Sequence, residues 1–89
     1  YFTVYREGDW KLVYYYNPEH LERPDCLLFN LVEDPGEQKE ISALNPVKTL
    51  DMLRRMIVRL ENEGALYPVD FDGHEVRPDM AFFETKFAE

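Results

Sequence analysis

Two runs dense in aromatic and β-branched residues, Tyr1 to Arg6 and Trp10 to Tyr16, flank Glu7-Gly8-Asp9. Alternation on one side, turn chemistry in the middle and strand-forming residues on the other side predict a β-hairpin. If Gly8-Asp9 is the two-residue loop, Tyr5 stands opposite Leu12 and Thr3 opposite Tyr14 on one face. Val4 then stands opposite Val13 and Phe2 opposite Tyr15 on the other, with Arg6 opposite Lys11. Both faces are largely apolar. A helix covers only one face of a sheet, so the second is expected to lie against something else. The candidates are a larger domain, a second copy of the chain, or the chain's own end, Phe82-Phe83-Phe87.

The rest of the chain supplies the covering elements. Asn17 to Asp25 is a polar loop with two prolines, and Asp25 to Leu31 reads as a third strand closed by Asp34-Pro35-Gly36. A short helical turn is expected over Glu37–Leu44. Asn45-Pro46 marks a helix start, with Asn capping the free amides and Pro at the first helical position. Leu50, Leu53, Ile57 and Leu60 recur at helical spacing with Met56 beside them, while Lys48, Arg54, Arg55 and Glu61 fall largely off that stripe. The helix should end near Glu63, with Gly64 as its left-handed cap. Beyond it, Ala65 to Val69 looks extended and Asp72-Gly73 is a turn. Met80 to Phe83 fits a strand, a short helix or an anchor for a partner surface. The expected fold is α+β: a small antiparallel sheet made of a hairpin plus a third strand, one long helix packed on one face, and an extended acidic tail. Residues 1–70 would form the α+β unit and 71–89 the tail.

Eighty-nine residues make one small domain, which buries only about 60–65% of its unfolded surface and leaves stability marginal. Ten Lys and Arg against eighteen Asp and Glu give a net charge of −8, which repels phosphate and argues against nucleic acid or an anionic membrane as partner. Most of the excess lies after residue 60, as in a solvated tail. A chain starting at Tyr1, with no initiator Met and no signal or transmembrane stretch, is expected to be a piece of a longer protein. Cys26 is the sole cysteine, so no internal disulfide forms; within Cys26-Leu27-Leu28-Phe29 it reads as a buried, inert thiol.

Two runs carry a family resemblance: Arg6-Glu7-Gly8-Asp9-Trp10-Lys11-Leu12-Val13, and Leu28-Phe29-Asn30-Leu31-Val32-Glu33-Asp34-Pro35-Gly36-Glu37-Gln38. In this order and spacing they resemble the C-terminal subdomain of a sulfatase of the formylglycine-dependent family, in the alkaline phosphatase superfamily. The likeness extends through the helix to Gly64-Ala65-Leu66-Tyr67-Pro68. It implies a non-catalytic subdomain that packs on a larger N-terminal catalytic domain and can shape the rim of its substrate pocket. Calcium and formylglycine would belong to that missing domain, sulfated carbohydrate is a common substrate class, and a periplasmic, secreted or lysosomal setting would follow.

The chain itself carries none of the family's reactive residues. Formylglycine arises within Cys/Ser-x-Pro-x-Arg, and Cys26 has no proline two residues on. His20 and His74 look isolated, with no carboxylates at ligand spacing, so no metal set is expected here. Arg6 and Lys11, like charges on opposed residues, need a carboxylate such as Glu7, Asp34 or Glu37 between them, or else an anion from a substrate or partner. Trp10, Tyr14 and Tyr16 share a face and either pack into a core or stack on sugar rings. Arg6, Lys11 and Trp10 are therefore the candidate contacts to substrate rim or anion. Two rival readings are a free-standing carbohydrate- or protein-binding module and the end piece of a related phosphoesterase.

Overall fold

The hairpin forms in the register that a two-residue loop dictates. The computed structural model describes residues 2–16 and 24–87, so most of the two-proline loop, residues 17–23 with His20, lies outside the described residues. Strand β1 (Phe2–Glu7) pairs antiparallel with β2 (Trp10–Tyr15), with Tyr5 on Leu12, Val4 on Val13 and Arg6 on Lys11. Gly8 sits at φ 58°, the left-handed conformation such a turn requires and that side chains disfavour. Strand β3 (Asp25–Asn30) joins the other side of β2, giving a three-stranded antiparallel sheet of order β1-β2-β3.

Helix α1 (Pro46–Glu63) begins at its proline and ends at Gly64 in the left-handed conformation. Ala65 N–H donates back to the Leu60 carbonyl at 3.0 Å, which uses one of the last turn's free acceptors. The expected side-chain cap is corrected: Asn45 makes none, and its amide donates instead to the Ile41 carbonyl at 3.2 Å. The buried seam is Thr49, Met52, Leu53 and Met56, with Leu50, Ile57 and Leu60 on its flanks. It is rotated from the leucine-centred stripe because Thr49, polar in sequence, buries its hydroxyl by donating to the Ser42 and Asn45 carbonyls.

Two other expectations are corrected. The turn expected over Glu37–Leu44 is confined to residues 42–44. The Asp34 carboxylate accepts the Gln38 and Lys39 amides at 3.0 and 2.8 Å and holds residues 35–39 in a loop. These backbone bonds keep that carboxyl below the usual range. The tail is not simply extended, and the described residues form two helices rather than one: α2 (Met80–Lys86) follows Asp79, whose side chain accepts the Phe82 amide at 3.0 Å. Phe83 and Phe87, four residues apart, then fall on one side and stack with ring centroids 6.0 Å apart.

The core is the space between one sheet face and both helices. Leu12, Tyr14, Tyr16, Cys26 and Leu28 from the sheet side meet Met52, Leu53 and Met56 of α1 and Phe83 and Phe87 of α2. Tyr14 pins α2 to the central strand: its ring meets Phe83 edge-on at 5.6 Å and its hydroxyl accepts the Asp79 N–H at 2.9 Å. Burial pushes the Tyr14 hydroxyl up to about 12, with the Asp79 bond pulling the other way, and pushes the Cys26 thiol up to about 12. Cys26 is therefore a neutral core thiol at ordinary pH.

Candidate functional site

Alternation along the three strands assigns every side chain to a face. On the face away from the core, β1 contributes Phe2, Val4 and Arg6, β2 contributes Lys11, Val13 and Tyr15, and β3 contributes Leu27 and Phe29. Val13 and Phe29 are largely buried yet lie outside the cluster that ties sheet to helices. Phe2 and Val4 are 58% and 45% exposed, and Phe2 sits 5.8 Å from the Tyr15 ring. Phe83 and Phe87 of the C-terminal segment pack on the helix side, so that segment does not cover this face. Leu27 and Phe29 were not singled out from sequence; the period-two pattern of β3, once registered to β2, places them here.

The three candidate contact residues are divided between the faces. Arg6 and Lys11 are cross-strand partners on the outer face, and Lys11 Nζ lies 2.6 Å from Glu37 Oε1, so a neighbouring carboxylate neutralises it. Arg6 has no ion-pair partner among the described residues. Trp10 lies on the helix side, packed against the core with Lys48 Nζ 5.3 Å over its ring. Tyr14 and Tyr16 share that side and are only 1% and 3% exposed. Their role here is packing, and neither ring is open to a sugar.

The two sheet edges are also unlike. A two-residue hairpin makes Glu7–Trp10, Tyr5–Leu12 and Thr3–Tyr14 the hydrogen-bonded pairs. The backbone groups of Phe2, Val4 and Arg6 therefore point away from β2, and those of Cys26, Leu28 and Asn30 point away from it on the far side. On β3 four of these six groups are satisfied. Leu28 N–H donates to Glu40 Oε1 at 3.0 Å and its carbonyl accepts Ile41 N–H at 2.9 Å. Cys26 N–H donates to Asp25 Oδ1, and the Asn30 carbonyl accepts Asp34 N–H. On β1 the outward groups of Phe2, Val4 and Arg6 meet no partner among the described residues. Beside them runs a groove of about 330 Å³ between β1 and α1, lined by Thr3, Val4, Tyr5, Arg6, Met56 and Leu60 among others.

One cluster runs against the expectation that no metal set forms. Asp70, Asp72 and His74 bring a ligand atom each within 4.8 Å of one another. Their spacing, i, i+2 and i+4, was visible in sequence, but it closes only because Asp70 folds the turn around itself. Its Oδ1 accepts the Asp72 and His74 amides, both at 2.9 Å. Those bonds account for the cluster as turn structure.

No helix among the described residues is long and apolar enough to cross a membrane. Compared with known proteins, the chain matches no family model and no curated sequence.

Proposed function

We propose that this chain is the non-catalytic C-terminal subdomain of a sulfatase, a sulfuric ester hydrolase, and that the outer sheet face is where it packs on the catalytic domain. The observation that carries the reading is an apolar face bounded by the residues of the sulfatase-like runs. Trp10-Lys11-Leu12-Val13 lies in β2, Leu28-Phe29-Asn30 lies in β3, and the face that carries Val13 and Phe29, themselves largely buried, opens to solvent at Phe2 and Val4 with no helix of the described residues over it. A hydrophobic surface of this kind on a small acidic domain marks an interaction site. Arg6 sits at the margin of that face with no acidic partner among the described residues, and in this reading it contacts an anionic group at the pocket rim. Calcium and formylglycine chemistry belong to the catalytic domain. The burial of Tyr14 and Tyr16 speaks against the alternative of a free-standing module that stacks sugars on those rings.

The test is the coding sequence upstream of Tyr1. A Cys/Ser-x-Pro-x-Arg motif within a preceding catalytic domain supports the reading; a different nucleophile favours a related phosphoesterase, and an unrelated linker or a stop codon contradicts it. The isolated chain is expected to show no turnover of a chromogenic sulfate ester, with or without calcium.

A further inference from the structure

We infer that the open edge of β1 is a strand-addition site, and that its occupant when this chain stands alone is the β1 edge of a second copy. A row of outward N–H and C=O groups is a template for another strand, and proteins normally blunt it with proline, a bulge, inward charge or a covering segment. Among the described residues one edge is largely covered and the other is left open. Glu40 and Ile41 close β3. β1 runs six residues in unbroken register, with no proline and no bulge.

The second copy is favoured over a foreign strand because β1 is complementary to itself. An antiparallel two-fold pairing centred on Val4 sets Val4 against Val4 of the other copy, Phe2 against its Arg6 and Thr3 against its Tyr5. Each outward pair exchanges two backbone bonds, about six in all. The pairing opposes no like charges, sets Arg6 beside an aromatic ring, and gives a residue lacking an acidic partner a neighbour suited to a cation. It also keeps the net charge of −8 per copy away from the seam, since the only acid of β1 is Glu7 at its end. The result is one six-stranded sheet with the outer apolar faces continuous. This inference uses the edge and not the face, and it stands or falls independently of the sulfatase reading.

The test is sedimentation equilibrium of the full chain and of Val4→Pro. Proline is tolerated on an edge whose N–H faces outward, so this change, present in both copies, removes two bonds of the proposed seam and none of the hairpin. The unaltered chain is expected to dimerise, and Val4→Pro to raise the dissociation constant by about tenfold or more. Val4→Thr, which keeps the N–H and the branched shape, should stay within a few-fold of the parent. A chain that remains monomeric at millimolar concentration overturns the proposal. So does a dimer that survives Val4→Pro, because association would then run through the apolar face or another surface. If circular dichroism shows that Val4→Pro does not fold, amide exchange of the unaltered chain decides. Slower exchange at Phe2, Val4 and Arg6 as concentration rises supports the edge, and unchanged exchange overturns it.

Discussion

The two faces of one three-stranded sheet are made of similar residues but have different fates. The face bearing Leu12, Tyr14, Cys26 and Leu28 is closed by Met52, Leu53 and Met56 of α1 and by Phe83 and Phe87 of α2. The face bearing Phe2, Val4, Val13 and Tyr15 has no helix of the described residues on it. Hydrophobicity alone therefore does not decide which surface becomes core; connectivity does. The chain leaves β3 along one edge, is tied there by Glu40 and Ile41, and delivers both helices to the same side. In physical terms one face holds the domain together, while the other buries Val13 and Phe29 and exposes Phe2 and Val4 at its β1 margin.

If that division is right, truncation should be costly on one side and cheap on the other. The largest effect is expected for Phe83→Ala, a loss of about 3–5 kcal/mol for deleting a fully buried ring. Urea denaturation measures it, and a change below 1 kcal/mol would mean that α2 is not part of the core. Leu53→Ala, also fully buried, should cost about 2–5 kcal/mol, and Ile57→Ala less, because Ile57 sits on the flank of the seam. For so small a domain either of the first two changes can approach the whole stability.

The alkaline pH dependence reports on the covered face. Burial raises the Cys26 thiol from 9.0 to about 12 and the Tyr14 hydroxyl from 10.0 to about 12. In each case the folded state holds a proton that the unfolded chain releases sooner, so stability falls as pH rises. The contribution is fully present below pH 9 and is lost between 9.0 and about 12 for Cys26 and between 10.0 and about 12 for Tyr14. Thermal unfolding as a function of pH should show this decline, and Cys26→Ala should flatten its lower part. Native Cys26 should likewise resist thiol reagents until the chain unfolds. The smallest effect belongs to the other face, where Phe2→Ser should leave the stability of the monomer within about 0.5 kcal/mol.

Much of this arrangement was legible in sequence. A two-residue Gly8-Asp9 loop leaves only one register, and Pro46 and Gly64 bracket a helix by conformational restriction at each end. What escaped the reading depends on contacts that local pattern does not encode. Met80–Lys86 is two turns long, too short for a helical period to stand out from a strand. It forms because Asp79 caps it and Tyr14, far away in sequence, receives it. Thr49 entered the buried seam because two carbonyls were waiting for its hydroxyl. Of the candidate contact residues, the opposition of Arg6 and Lys11 followed from the register. Trp10 went to the other face by the same alternation.

The most direct test of the outer face as a docking surface is hydroxyl-radical footprinting of Phe2, Val4 and Tyr15 in two settings. One is this chain at a concentration where it is monomeric; the other is the chain joined to the catalytic domain that the proposed function assigns to it. Strong labelling of Phe2 and Val4 is expected in the monomer, falling by about tenfold when the catalytic domain is attached and covers the face, with Leu12 and Phe83 protected in both. Equal labelling of Phe2 and Val4 in the two settings would show that the face stays in water, and would contradict it.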